Sequence, residues 1–187
     1  YLVVLDGSGS MNEYRCADGK RKIDVAKQAM PEFVAAVPVD ANIGLVVFDD
    51  DGLSLRLPLG KDRNEFLRKV NSVDADSGTP LYSAVMLGRK ELEHQAHRQQ
   101  GYGEYYLVIV TDGEANPGQD PTEAVNSIIA ETPIVIHTIG FCIDENHSLN
   151  QPGRTLYKTA TNPEELKQGL EEVLAEASAF NSNGFTD

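Results

Sequence analysis

Four stretches of the chain are almost uninterrupted in their apolar character: YLVVL (1–5), IGLVVF (43–48), YYLVIV (105–110) and IVIHTIG (134–140). Strands of a parallel sheet read this way, because helices cover both faces and leave no side for polar residues. A fifth stretch, LSLRLPL (53–59), alternates strictly and sets Leu53, Leu55, Leu57 and Leu59 on one face. Its Pro58 has no N–H to offer a ladder and so belongs at a sheet edge. DDDG (49–52) is a tight-turn signal, which makes 43–59 a hairpin with an antiparallel outer strand. A short sixth strand is expected around Leu156–Tyr157.

Between the strands the period becomes helical. Residues 22–37 carry Ile23, Ala26, Met30, Phe33 and Val37 on one stripe. Asp62 and Glu65 form a capping box for a helix over 62–70. A long helix is expected from Pro80, capped by Thr79, to about Gln99. Another begins at DPTEA, with Asp120 as cap and Pro121 at the first helical position. The last, over 163–178, buries Leu166, Leu170, Val173, Leu174 and Ala177, and contains Gly169. This alternation predicts one α/β domain over 1–178, followed by a tail or linker start at 179–187. Right-handed crossovers that reverse direction between strands 1 and 4 give a doubly wound, mostly parallel six-stranded sheet. Its order is 3-2-1-4-5-6, strand 3 is antiparallel at the edge, and helices flank both faces.

The switch point of such a sheet lies between the carboxyl ends of strands 1 and 4, where ligands bind. Asp6 ends strand 1 and Asp112 follows strand 4, so the two carboxylates are expected to face one crevice, on the rim rather than in the core. Asp6, Ser8 and Ser10 recur at i, i+2 and i+4 along one side of an extended loop, where Gly7 and Gly9 let the backbone curl. Taken singly, DGSGS is a flexible connection, Thr79 a helix cap and TDG a turn. Together, Asp6, Ser8, Ser10, Thr79 and Asp112 converge on one rim as five oxygen donors, with no nitrogen or thiolate among them. Oxygen-only ligation selects a hard cation, Mg²⁺ or Ca²⁺, with Mn²⁺ able to substitute. Two carboxylates and three neutral hydroxyls leave such an ion electrophilic, and an incoming carboxylate suits the open position.

DGSGS, SGTPLY and VTDGEA resemble the metal-ion-dependent adhesion site of von Willebrand factor type A domains. The resemblance runs from Tyr1 to about Ala177 and looks more like the bacterial members than the integrins. It implies that Ser8 and Ser10 ligate Mg²⁺ directly, that Thr79 and Asp112 exchange between direct and water-mediated contact, and that Asp6 works mostly through water. It also implies that an Asp or Glu of a protein partner completes the coordination, and that movement of the last helix couples to the site. The implied function is metal-dependent protein binding in adhesion or assembly, within a larger extracytoplasmic (periplasmic or cell-surface) bacterial protein. An accessory subunit of an intracellular ATPase complex is the alternative setting.

Net charge is −13 over 187 residues, with the acidic groups spread along the chain, which argues against nucleic-acid or anionic-membrane partners. No apolar run reaches bilayer length, so no membrane insertion is expected. An enzyme is not expected either. A phosphohydrolase of the haloacid dehalogenase type needs a carboxylate where Ser8 stands, and a suitably placed Lys. Nor does a serine sit in a G-x-S-x-G elbow. His94 and His97 fall on a solvated helix end, His137 within a strand and His147 in a loop. DGSGSM lacks the third glycine of a dinucleotide fingerprint, Asn12 standing there. Cys16 and Cys142 are either free thiols or, in an oxidising compartment, a disulfide reached by the long loop 11–22. That loop, together with 113–119 and 144–154, is expected to carry partner specificity.

Overall fold

The computed structural model describes residues 1–143 and 145–181, the last six of these by their backbone alone. In chain order the elements are β1 (Leu2–Asp6), α1 (Lys22–Ala36), β2 (Ile43–Asp49), β3 (Gly52–Gly60), α2 (Arg63–Asn71), α3 (Leu81–Arg98), β4 (Tyr105–Thr111), α4 (Thr122–Glu131), β5 (Ile134–Phe141), β6 (Leu156–Ala160) and α5 (Pro163–Asn181). They build a six-stranded sheet in the order β3-β2-β1-β4-β5-β6. Every pairing is parallel except that of β2 with β3. The sixth strand is longer than the expected dipeptide. Backbone pairing to β5 supplies what its mixed side chains do not signal.

Alternate residues of the central strands feed two cores. Val3, Leu5, Val108 and Val110 face α1, α2 and α5, while Leu2, Val4, Leu107 and Ile109 face α3 and α4. This two-sided burial is why the strand sequences are apolar throughout. The edge strand departs from its simple alternation. The β2–β3 register shifts on both sides of the Leu45–Leu57 pair, and Leu57 packs with the first core while Leu53, Leu55 and Leu59 pack with the second. An irregular register turns one leucine to the opposite face, which strict periodicity excludes.

Three helix starts have a side-chain acceptor for a backbone N–H of the first turn. Asp62 Oδ1 accepts from Glu65 N at 2.8 Å, Asp120 Oδ1 from Thr122 N at 2.9 Å, and Asn162 Oδ1 from Glu165 N at 2.9 Å. Helix α3 starts at Leu81, with Pro80 at the cap position and no side-chain cap. Thr79 therefore does not cap the helix as expected. Helix α1, after Arg21, likewise has no side-chain cap, and α4 starts at Thr122, so Pro121 stands at the cap position and not at the expected first helical one. Leu166, Leu170 and Val173 of α5 are buried as the stripe predicts; the expected burial of Ala177 lies outside the described side chains. Helix α5 continues to Asn181, and residues 182–187 lie outside the described ones.

Cys16 and Cys142 form a disulfide, with their Cα atoms 5.9 Å apart, so the free-thiol reading does not hold. The long first loop folds back across the rim to the residue that follows β5. Arg15 reinforces the link by donating from Nη2 to the Cys142 carbonyl at 3.1 Å.

Two glycines have opposite steric surroundings. A Cβ on Gly169 would meet Ile139 Cγ1 and Cγ2 at 3.4 Å, an ordinary contact, whereas one on Gly7 would stand 2.8 Å from the Phe48 carbonyl oxygen. Gly169→Ala should therefore raise stability by up to about 1 kcal/mol, the helix-propensity difference. Gly7→Ala should lower it by at least about 1–3 kcal/mol, since the obstacle is backbone. Urea unfolding of the two variants beside the native chain measures both.

Candidate functional site

The carboxyl end of β1 is where the local sequence becomes polar, and parallel pairing decides what it meets. Leu5 lies opposite Val110 and Val47, which sets Asp6 opposite Phe48, brings it alongside Thr111 and places Asp112 one residue beyond. Asp6 Oδ1 accepts from Ser8 N at 2.7 Å, and its Oδ2 accepts from Thr111 Oγ1 at 2.5 Å. Asp6 is wholly buried. Burial pushes its carboxyl up to about 6; the bonds from Ser8 and Thr111 oppose that rise, and the Asp112 charge adds to it.

Ser8 Oγ and Ser10 Oγ are 3.0 Å apart, and Ser10 Oγ donates to Asp112 Oδ1 at 2.6 Å. Four of the five expected residues thus lie in one connected group around the end of β1. Thr79 stands on its margin. A Cβ on Gly113 would fall 3.3 Å from Ser10 Oγ and 3.7 Å from Thr79 Oγ1, so this glycine keeps open the space between the two hydroxyls. The Thr79 hydroxyl caps nothing and remains available to that space.

Backbone bonds hold the three contributing loops together. Gly9 N donates to Ser77 O at 2.9 Å, Asp76 N to Gly7 O at 3.1 Å, and Asn116 N to Thr79 O at 3.0 Å. The DGSGS segment is not an extended loop. Gly9–Asn12 form a turn of 3-10 helix whose Met11 is buried, and that anchor draws the segment inward. Of the two glycines expected to permit curling, Gly7 is required by its close approach to β2. Gly9 has no atom nearer to its Cβ position than Ser77 O at 3.8 Å.

Two residues at the site were not singled out by the sequence. Lys22, at the start of α1, is 1% exposed and donates from Nζ to Asp112 Oδ2 at 2.6 Å, with Glu13 Oε2 at 3.3 Å on its outer side. The available signal was position: Lys22 lies four residues before Ala26, in line with the buried stripe. His147 is also buried. Its Nδ1 accepts from Leu149 N at 3.1 Å, so Nε2 carries the proton donated to Gly113 O at 3.0 Å. The loop containing His147 is thereby tied to the residue after Asp112. His94 and His97 are exposed, as expected. His137 is buried against the Tyr106 ring, and burial pushes its imidazole down to about 4.

The sequence model of the von Willebrand factor type A domain matches residues 1–114. The chain belongs to the von Willebrand factor type A family. The fold is that of the family, whose domains commonly mediate protein–protein interaction. A curated relative, the uncharacterized protein YwmD of Bacillus subtilis, is 29% identical over 189 residues, covering 90% of this chain and 82% of YwmD. Among solved structures, the von Willebrand factor domain of the type V pili tip protein Mfa5 from Porphyromonas gingivalis aligns with a TM-score of 0.75 and 13% identity. That alignment covers 100% of this chain and 97% of Mfa5's. BatB from Bacteroides thetaiotaomicron aligns at 0.72 and 17% over 94% and 98% of the two chains. The manganese-loaded TRAP protein of Plasmodium vivax aligns at 0.64 and 20% over 92% and 72%.

The donor chemistry of this domain fits a hard divalent cation. Among the described residues no group of three or more His, Cys, Asp or Glu side chains stands ready for a metal, so Ser8, Ser10 and Thr79 would have to complete the set. The 3.0 Å between the serine hydroxyls is close to the ~2.9 Å edge of an octahedron whose ligands lie at about 2.0–2.1 Å.

The expectation that both carboxylates lie on the rim and outside the core is corrected: Asp6 is 0% exposed and Asp112 4%. Replacing either by Ala would strand buried donors, so asparagine is the informative substitution. Because the Asp6 carboxyl titrates higher in the folded chain than in the unfolded, its contribution to native stability without metal falls as pH rises from 4 to 6. Asp6→Asn lacks that loss. Its stability relative to the native chain should improve by up to about 3 kcal/mol across this window, in chelator and by urea unfolding. The opposite slope from His137 is common to both proteins and cancels.

Proposed function

We propose that this domain binds Mg²⁺ (or Mn²⁺ or Ca²⁺) through Asp6, Ser8, Ser10, Thr79 and Asp112, and that the ion captures an Asp or Glu side chain of a protein partner. The observation that carries this reading is the connected set of Ser8, Ser10 and Asp112 oxygens beside a space that Gly113 leaves open. Ser10 can donate its proton to Asp112 and still direct a lone pair at a cation. Both oxygens of Asp6 already accept protein hydrogen bonds, which favours a role through water for that residue. When bound, the ion supplies a Lewis-acidic position for the partner's carboxylate. The manganese in the TRAP structure supports divalent-metal chemistry on this fold.

The domain unit is 1–178, and the rim loops 11–22, 113–119 and 144–154 select the partner. Loop 11–22 is fixed by the Cys16–Cys142 bond, and His147 anchors the third loop to the second. A disulfide persists in an oxidising compartment, which favours the extracytoplasmic, bacterial, adhesion or assembly setting over an intracellular ATPase accessory role. Among the described residues no helix is long and apolar enough to cross a membrane.

The phosphohydrolase alternative gains one part it lacked, since Lys22 does reach Asp112. It still has Ser8 in place of the second carboxylate, and its nucleophile would be Asp6, which is wholly buried with both oxygens engaged.

Calorimetric titration with MgCl₂ and MnCl₂ tests the proposal. The native chain should bind one ion, Asp112→Asn and Ser8→Ala should each weaken it by about tenfold or more, and an acidic peptide should bind only in the metal's presence. Absence of divalent-metal binding at millimolar concentration would overturn the reading, and turnover of a generic phosphate ester would favour the alternative.

A further inference from the structure

We infer that Lys22 is a built-in cation that keeps the metal site short of neutral, so that the ion is held weakly alone and firmly only with an anionic ligand. This rests on the metal-binding reading above and concerns a residue outside the five-residue donor set. The observation is the geometry of one carboxylate. Asp112 Oδ1 accepts from Ser10 Oγ, and Asp112 Oδ2 accepts from Lys22 Nζ, both at 2.6 Å. The side chains of Lys22 and Asp112 are 2% and 0% exposed. Solvent therefore screens this pair poorly, and a charge here acts strongly on any other charge in the crevice.

The charge count follows directly. Asp6 and Asp112 together would neutralise a divalent ion. With Lys22 beside them the assembled site keeps one positive charge, and a partner's carboxylate removes it. Glu13 contributes little to this balance. Its carboxylate is 3.3 Å from Nζ, but its side chain is 59% exposed and lies in water. Lys22 also reserves Asp112 Oδ2, leaving one oxygen of that carboxylate to face the serines. A single oxygen disfavours the bidentate ligation that Ca²⁺ commonly adopts and suits the six-coordinate Mg²⁺.

The position of Lys22 is not adjustable. Its backbone N–H donates to Glu13 O at 2.9 Å, and Ile23, the next residue of α1, is fully buried. The ammonium is consequently presented to Asp112 by the helix and by the loop that rims the site.

The test is a set of titrations with Mg²⁺, with and without acetate, on the native chain, Lys22→Met, Lys22→Gln and Lys22→Arg. Loss of the charge in Lys22→Met should tighten Mg²⁺ binding in the absence of acetate by about tenfold or more and shrink the tightening that acetate produces in the native chain. The Mg²⁺-induced rise in melting temperature should grow correspondingly, because the ion then replaces the missing counter-charge. Lys22→Arg should behave as native. Should Lys22→Met fail to fold even in saturating Mg²⁺, Lys22→Gln, which keeps a donor to Asp112 without the charge, decides the matter in the same direction. If the native chain binds Mg²⁺ and the neutral variants bind it equally or more weakly, Lys22 is only a structural partner of Asp112 and the inference falls. If the native chain itself binds no Mg²⁺, the metal-binding reading falls and takes the inference with it.

Discussion

Keeping two carboxylates together in a crevice almost without water is the constraint around which the upper edge of this domain is organised. A charged group withdrawn from solvent costs several kcal/mol unless hydrogen bonds or a counter-charge compensate. The chain meets this demand differently for each group. Asp6 receives a backbone N–H and a neighbouring hydroxyl, and its raised proton affinity shows that these compensate only partly. Asp112 receives a full cation, Lys22, together with the Ser10 hydroxyl. The residues that answer the constraint are those of the proposed site and its neighbours.

Rigidity of the surrounding loops follows from backbone hydrogen bonding more than from side-chain packing. Gly7, Gly9, Asp76, Thr79 and Asn116 exchange main-chain bonds across three segments distant in sequence. Gly7 allows the first segment to lie against β2, and Gly113 leaves room between two hydroxyls. The disulfide and the His147–Gly113 bond then fix the outer loops to this frame. Loops joined in this way hold the candidate site in one arrangement, and preorganisation of that kind reduces the ordering cost of binding.

Much of the frame was legible from residue order. Continuous apolar runs identified the buried parallel strands, and the Pro58-containing alternation identified the antiparallel edge. The misreadings share one cause. Leu57 changes face because of register shifts, Thr79 loses its capping role because the helix begins one residue later than Pro80, and the carboxylates are buried deeper than the end of a strand suggests. Each depends on a neighbour far along the chain, and local periodicity carries no information about such neighbours.

The sequence by itself determined the fold class, the strand order and the oxygen-bearing residues Asp6, Ser8, Ser10 and Asp112 that lie together at the switch point, with Thr79 on their margin. These follow from periodicity and from chain-crossing rules, which act over a few residues or a single crossover. Tertiary structure alone decided that Lys22, which reads as one charge among several in GKRK, is buried against a carboxylate 90 residues away. It likewise decided that Cys16 meets Cys142 and that His147 holds Gly113. Electrostatic and hydrogen-bonding partners are set by distance in space, and only the closed sheet with its loops drawn over the edge fixes those distances.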